Sequence, residues 1–175
     1  IAPNGLARRA APPVRPNEVW VTDFTYIPTG EGWLFLAVVL DLYSRRVVGW
    51  AFGSALTTAL ARAALQMAVS HRRPKAGLLH HSDRGCQYAS ADYRALLAAH
   101  GLEASMSRQG NPYDNAAMES FYSTLKIECL HRQKLATQAQ AQAVTFDYLE
   151  SFYNRERLHS ALGYKSPVDF EQPLH

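Results

Sequence analysis

The stretch Val19-Trp-Val-Thr-Asp-Phe-Thr-Tyr-Ile27 decides the fold class, because it is a strand signal with an acid at its centre. Its β-branched and aromatic residues favour a strand, whereas aspartate is depleted from strand interiors and costly to bury unpaired. Two further acids are placed in a comparable way: Asp83 ends the apolar run Leu78–Asp83, and Glu119 lies on a predicted helix. Carboxylates brought together from separate elements repel one another unless a cation compensates their charge. The sequence therefore predicts an all-oxygen site for a hard ion such as Mg²⁺ or Mn²⁺, whose main enzymatic use is phosphoryl transfer.

The composition describes an ordinary globular chain. It has 175 residues, 47% hydrophobic and 19% charged, which is the size of one domain with a substantial core. The formal net charge of +3 permits a polyanionic partner without demanding one. Two cysteines are too few for a disulfide framework, and no run of residues is long and apolar enough to predict a membrane span. Since no glycine-rich phosphate loop is present, we expect no nucleotide cofactor.

The order of the predicted elements indicates the architecture. Three apolar runs separated by short turns predict an antiparallel meander, and the pattern then changes to alternating helices and short strands. The predicted strands are 19–27, 33–42, 47–53, 78–82 and 103–107, and the predicted helices are 58–72, 90–100, 114–130 and 137–157. This order is the ribonuclease H-like arrangement, an α/β fold with a five-stranded mixed sheet flanked by helices.

Two regions of different character are expected. Residues 1–17 hold four of the nine prolines and three arginines, which predicts a basic, proline-rich linker or arm outside the core. Residues 18–172 are expected to form the catalytic core with a C-terminal helical extension.

Each acid also has a plain structural explanation. Asp23 could face water on an edge strand, Asp83 could belong to a turn with Gly85, and Glu119 could lie on a solvated helix face. Asp41, at the end of the second strand, could replace Asp23 as a ligand. A zinc site is a weaker rival, because strand alternation sends neighbouring histidines to opposite faces; its members would be His80, His81, Asp83 and Cys86.

Several blocks in order resemble bacterial insertion-sequence transposases with a retroviral-integrase-like DDE core. They are Trp20–Ile27, His81-Ser-Asp-Arg-Gly-Cys-Gln-Tyr88, Ser105–Asn111, Asp114-Asn-Ala-Ala-Met-Glu-Ser-Phe121, Thr124-Leu-Lys126, Tyr153-Asn-Arg-Glu-Arg157, His159–Tyr164 and Ser166-Pro167. The resemblance runs from about Asn17 to Glu171.

This resemblance implies that Asp23, Asp83 and Glu119 are the acidic triad and metal ligands, holding two Mg²⁺ or Mn²⁺ ions. It implies metal-dependent cleavage of DNA and strand transfer, with transposon ends and target DNA as partners and self-association in a nucleoprotein complex. It also implies a bacterial cytoplasmic protein that is nucleoid-associated when acting. A structure-specific nuclease of the same fold without strand transfer, or an inactive DNA-binding relic, is the alternative.

Further residues are candidates for DNA contact. Lys126 and Asn115 share a helix stripe with Glu119, and a loop after Asp83 carries residues that could contact or stack on bases. A basic C-terminal patch could contact the DNA backbone. The candidates are Arg84, Gln87, Tyr88, Arg108, Asn111, Asn115, Lys126, Arg155, Arg157 and His159.

Overall fold

The fold is built on one five-stranded mixed sheet. The computed structural model describes residues 1–108 and 115–173. The strands are β1 (Val19–Thr29), β2 (Gly32–Asp41), β3 (Val47–Gly53), β4 (Leu79–Ser82) and β5 (Glu103–Met106), in the spatial order β3-β2-β1-β4-β5. β1, β2 and β3 are antiparallel neighbours, whereas β4 is parallel to both β1 and β5. The predicted sheet, with its three antiparallel strands first, is confirmed.

Six α-helices flank the sheet in the described part of the chain: α1 (Thr58–Arg72), α2 (Cys86–Ala89), α3 (Ala91–Ala99), α4 (Ala116–Glu128), α5 (Gln138–Asp147) and α6 (Pro167–Glu171). Their starts follow the capping chemistry of the sequence, since a side-chain oxygen that accepts from a free amide stabilises the first turn. The side chains of Thr57, Ser90 and Thr137 each accept a hydrogen bond from the backbone amide three residues later, at the starts of α1, α3 and α5. No described helix has the length and apolar character needed to cross a bilayer.

Alternation along β1 divides the core into two clusters. Val19, Val21 and Ile27 face α4, α5 and the chain after α5, while Trp20 faces α1 and α3. Because side chains alternate along a strand, Asp23 lies on the same face as Val19 and Val21. That face is covered by α4, so the centre of β1 directs its acid towards the helix that carries Glu119.

The N-terminal segment lies against the edge of the sheet. Pro3 accepts a hydrogen bond from the amide of Met106 in β5, and the amide of Leu6 donates to the hydroxyl of Ser105. Leu6 also packs on the core cluster that faces α4. Residues 1–6 therefore contact the core directly, unlike the free arm that the proline content suggests. The division at residue 17 stays a prediction.

The C-terminal helical region differs from the single helix expected over 137–157. The α-helix ends at Asp147, and Tyr148–Tyr153 continue as a wider π-helical turn. This turn brings Tyr148, Leu149 and Tyr153 together into the core. A single 3.6-residue period cannot anticipate such a change of pitch. The predicted start of α4 at Asp114 lies outside the described residues, and the described helix begins at Ala116.

Candidate active site

Asp23 occupies the middle of β1, opposite Val38 of β2. Its Oδ1 accepts a hydrogen bond of 2.8 Å from the amide of Phe24, and its side chain is partly buried. The hydroxyl of Tyr122 on α4 donates a 2.6 Å hydrogen bond to the Asp23 carbonyl. This bond ties α4 to β1 at the acid itself, so the position of Asp23 relative to the helix is fixed by a direct contact.

Asp83 immediately follows β4, where the chain turns towards α2. Its Oδ1 accepts a 2.7 Å hydrogen bond from the amide of Gly85. A Cβ atom at position 85 would lie 2.8 Å from that same oxygen, so a glycine is needed for the carboxylate to sit so close to the backbone. The turn predicted from Arg84-Gly85 therefore exists, and it also orients the acid.

Glu119 lies in the first turn of α4 and is exposed. A carboxylate is favoured there because the amino end of a helix carries partial positive charge. Asn115, the residue before the helix, makes no side-chain capping bond.

The three acids share one electrostatic environment. The pKa of Asp23 is raised from 3.8 to about 6, first because burial disfavours its charged form and then because the charges of Asp83 and Glu119 repel it. The hydrogen bond from Phe24 opposes this rise. Elements distant in the sequence thus place their acids within electrostatic reach of one another. A site with several carboxylates that repel one another favours the binding of a cation.

The donor set fits a hard cation better than a soft one. Asp23 and Asp83 each engage Oδ1 with a backbone amide, and Glu119 is exposed to solvent. Carboxylate oxygens are the ligands that Mg²⁺ and Mn²⁺ prefer. Across residues 1–108 and 115–173, no three acidic, histidine or cysteine side chains are already close enough together to hold one ion.

The zinc alternative is wrong. His80 is buried and its Nε2 is 2.7 Å from the Tyr93 hydroxyl, while Nδ1 of His81 is 2.8 Å from the Ser105 hydroxyl. Burial lowers the pKa of His80 to about 4, so it is a neutral core residue. Cys86 is an exposed free cysteine at the start of α2. These side chains belong to separate hydrogen-bonded pairs, not to one ligand set.

Asp41 is a structural acid, not a substitute for Asp23. It is fully buried opposite Trp20, and its carboxylate accepts from the amides of Asn17 and Tyr43. The guanidinium of Arg72 is 3.4 Å from the same carboxylate. Because both oxygens already have protein partners, Asp41 holds the end of the sheet together.

The candidate DNA contacts separate into groups. Lys126 lies near Glu119 in a groove that Ser123 also lines. Arg84 is exposed, with Nε donating to the Ser107 carbonyl, and the Gln87 amide donates to the Leu56 carbonyl. Arg108 is exposed, and Asn111 lies outside the described residues.

Tyr88 is not available to DNA. It is 1% exposed, its ring stacks on Phe24, and its hydroxyl is 3.5 Å from that of Thr22. The sequence predicts a loop after Asp83, but residues 86–89 form the short helix α2. The helix turns Tyr88 inward, where burial and then the charges of Tyr93, Asp23 and Asp83 raise the pKa of its hydroxyl.

The C-terminal cations lie apart from the acids. Nε of Arg157 donates to both carboxylate oxygens of Glu128, at 2.8 and 2.7 Å. His159 is half-buried, and burial followed by the charges of Arg157 and Arg45 lowers its pKa to about 4. These residues line a pocket against Ala116, Ser120 and Thr124 of α4, whereas Arg155 is exposed to solvent.

Two features were missed by reasoning from the sequence. Tyr122 is not among the predicted site residues, yet its hydroxyl donates a hydrogen bond to the Asp23 carbonyl. Its position three residues after Glu119 places it beside the acid on a helix, and this spacing could have revealed it. Trp33 is also absent from the predicted site residues, and 54% of it is exposed. Its place next to the Gly30–Gly32 turn was the available signal.

The strand order and the acid set define a ribonuclease H-like fold of the kind found in integrase catalytic cores. Models of the integrase core domain match residues 13–112 and, in a second model, residues 100–167. The chain therefore belongs to the integrase core domain family.

Relatives in bacteria are similar over most or all of this chain. An uncharacterized 31 kDa protein of insertion element IS600 from Shigella sonnei is 49% identical over the whole chain, which covers 64% of that protein. The transposase of insertion sequence element IS904 from Lactococcus lactis is 49% identical over 90% of the chain, covering 62% of the transposase. Transposase InsF of insertion sequence IS3A from Escherichia coli is 49% identical over 89% of the chain and 54% of its own length. The chain thus spans less than two thirds of each relative.

Solved structures share the fold at low sequence identity. One such structure is the simian T-cell lymphotropic virus intasome in complex with a PP2A regulatory subunit. The match covers all of this protein and 60% of the intasome chain, with a TM-score of 0.78 and 17% identity. The HTLV-2 integrase catalytic core domain in complex with magnesium has a TM-score of 0.67 at 14% identity, covering 91% of this chain and 99% of that one.

Proposed function

We propose that this chain is the catalytic domain of a DDE transposase, which cleaves DNA strands and joins them to target DNA in a metal-dependent reaction. The observation that carries the proposal is the electrostatic coupling of Asp23 to both Asp83 and Glu119. Membership of the integrase core domain family supports it, as does 49% identity to two named insertion-sequence transposases.

The triad would hold two Mg²⁺ or Mn²⁺ ions. Bound there, such ions activate an attacking oxygen and stabilise a leaving oxygen in phosphoryl transfer. A structural relative of the chain, the HTLV-2 integrase core, is in complex with magnesium, which supports this choice of ion.

The protein groups around the triad prepare the site for the reaction. Asp23 is mostly ionised at neutral pH, because even its raised pKa of about 6 lies below 7. The amides of Phe24 and Gly85 each hold one oxygen, of Asp23 and Asp83 respectively. The other oxygen of each carboxylate is proposed to bind the ion. Lys126, on the same side of α4 as Glu119, would bind a backbone phosphate. Asn115, Arg84, Gln87 and Arg108 are proposed as lower-ranked DNA contacts around the acids.

The partners of the protein follow from this activity. The ligand is DNA, both the transposon ends and the target. Self-association on DNA is proposed because the joining of two ends needs two active sites, and the HTLV-2 core is described in dimeric and trimeric forms. The expected location is the bacterial cytoplasm, in contact with the nucleoid during the reaction.

A branched DNA tests this function without knowledge of the natural end sequence. The probe is a fluorescent oligonucleotide in which one strand is already joined to a target duplex, since reversal of joining does not need an end to be selected first. With Mg²⁺, a transposase is expected to release the branch and reseal the target strand. A nuclease would shorten the labelled strand without resealing it.

Asp23→Asn is the decisive variant and Asp92→Asn, an exposed acid of α3, is its matched control. We expect Asp23→Asn to lose resealing by on the order of 10²–10³-fold or more while Asp92→Asn retains it. Resealing by Asp23→Asn at the wild-type rate would disprove the triad assignment. Hydrolysis without resealing by the wild type would identify a nuclease. Absence of both hydrolysis and resealing in the wild type would favour an inactive relic.

A further inference from the structure

An exposed aromatic pair lies on the β1–β2 hairpin beside the triad. Tyr26 is 53% exposed and Trp33 is 54% exposed, and their ring centroids are 4.8 Å apart at an angle of 84°. Large aromatic side chains gain much from burial, so two of them left in contact at the surface mark an interaction site. Ile127 of α4, 63% exposed, adds a further apolar side chain nearby.

The pair is continuous with the acid site. One cavity of about 590 Å³ reaches from Glu119 along α4 to Tyr26, and a second of about 490 Å³ continues from Tyr26 to Trp33. Both are lined by Tyr26, Lys126 and His131. Together they form one groove that begins at Glu119 and ends under Trp33.

The chemistry of this groove suits one strand of nucleic acid. Lys126 Nζ is 5.6 Å from the centre of the Tyr26 ring, so a cation and an aromatic face are offered side by side. Binding sites for single strands combine positive charge for the backbone with aromatic rings on which bases stack. Paired bases in a duplex do not offer a free face to such a ring, so the base concerned must be unpaired.

We propose that Tyr26 and Trp33 form a stacking platform for an unpaired DNA base near the phosphate that the triad attacks. This inference rests on the proposed function and adds a feature of its substrate. Lys126 holds the intervening backbone. The rise along α4 from Glu119 to Lys126 is about 10 Å, which corresponds to roughly three nucleotides at the spacing of one DNA strand.

Fluorescence of 2-aminopurine measures such stacking directly. The probe is the branched DNA described above, with 2-aminopurine placed in turn at one to six nucleotides from the scissile phosphate on either strand. The full chain binds it in Ca²⁺, which permits binding without turnover. We expect a change in fluorescence confined to positions about two to four nucleotides from the phosphate on one strand.

The variants Trp33→Leu and Tyr26→Leu should abolish that local change and weaken binding of the branched DNA by about 5- to 150-fold. Trp33→Phe should keep the change, because it preserves an aromatic face. Tyr164→Leu is the matched control: Tyr164 is 71% exposed and does not line the groove. Thermal unfolding checks that each variant is folded.

The possible outcomes distinguish failure of the stacking platform from failure of the proposed transposase function. If folded Trp33→Leu and Tyr26→Leu keep the local fluorescence change while the DNA is still resealed, the platform is disproved and the transposase function stands. If these variants instead lower self-association in sedimentation and leave the fluorescence unchanged, the pair is a contact between copies and the platform is equally disproved. Failure of the wild type to bind or process the DNA overturns both proposals.

Discussion

The two flanks of helix α4 carry similar residue types but face different surroundings. On one flank Glu119, Ser123 and Lys126 face a groove that leads away from the acid site. On the other flank Ser120 and Thr124 face a pocket that Arg157 and His159 line. Because successive residues of a helix are turned by about 100°, the neighbours Glu119 and Ser120 fall on different flanks.

The comparison teaches that the contacts of a cationic side chain, more than its position in the sequence, decide whether it is available to bind DNA. Lys126 contacts an aromatic face, which leaves its ammonium free to donate hydrogen bonds. Arg157 donates to both oxygens of Glu128, whose carboxylate also accepts from the Tyr148 hydroxyl. We infer that the first flank serves DNA and that the second holds the C-terminal segment on α4.

The sharpest way to break the comparison is to change the adjacent residues Glu119 and Ser120. Glu119→Gln keeps size and hydrogen bonding but removes a ligand charge, so resealing of the branched DNA should fall by on the order of 10²-fold or more. Ser120→Ala should change the rate less than about twofold. Equal losses in both variants would contradict the assignment of chemistry to one flank.

Acidity offers a second test on the same flank. Since folding raises the pKa of Asp23 from 3.8 to about 6, the native state binds this proton more tightly than the unfolded state. Its contribution to stability is therefore largest below pH 3.8 and is lost as the pH rises through 6. At pH 7.5 the free energy of unfolding of Asp23→Asn should exceed that of the wild type by about 1–3 kcal/mol, which thermal unfolding will show as a higher unfolding temperature. This difference should vanish near pH 4.

Mg²⁺ provides a test of Asp23 that depends on the charged form of its side chain. If Asp23 is a ligand as proposed, it binds the ion in its ionised form. Mg²⁺ should then raise the wild-type unfolding temperature at pH 7.5 and have progressively less effect as the pH falls below 6. Calorimetric scans with and without the ion measure this. An equal Mg²⁺ effect at pH 5.0 and 7.5, or an undiminished effect in Asp23→Asn, would count against Asp23 as a ligand.

The smallest expected effects distinguish the two cations. Lys126→Ala should weaken DNA binding and lower the slope of log affinity against log salt by about 1, because one phosphate contact is lost. Arg157→Ala should leave that slope unchanged and instead destabilise the fold by about 1 kcal/mol, as expected for a partly exposed ion pair. Binding titrations at several salt concentrations, together with urea unfolding, measure both. A reduced salt slope in Arg157→Ala would restore this residue to the DNA-contact surface.

Local signals in the sequence were sufficient for much of the fold. Helix α1 begins and ends where the apolar period predicted, and Ser90 and Thr137 cap α3 and α5 at the predicted starts of those helices. The three strands separated by short turns form the predicted meander. These features depend on neighbours along the chain, which is why pattern and capping chemistry identify them.

The rest depends on contacts between distant residues. Only the structure shows that α2 turns Tyr88 inward onto Phe24, or that Glu128 engages Arg157. The triad was predicted residue by residue from acids in unusual places and from the family resemblance. Its electrostatic coupling, visible in the raised pKa of Asp23, arises from elements that pack together only in the folded chain.

The side chain of Asn154 has a consequence for the behaviour of the protein at high concentration. Its amide oxygen accepts from the Val47 amide and its amide nitrogen donates to the Val47 carbonyl, so it imitates a neighbouring strand at the end of edge strand β3. At the opposite edge, Pro3 occupies the Met106 amide of β5. Unpaired strand edges are templates for intermolecular pairing and fibre growth. Chain segments remote from the chemistry thus blunt both margins of the sheet and oppose its extension from one molecule to the next.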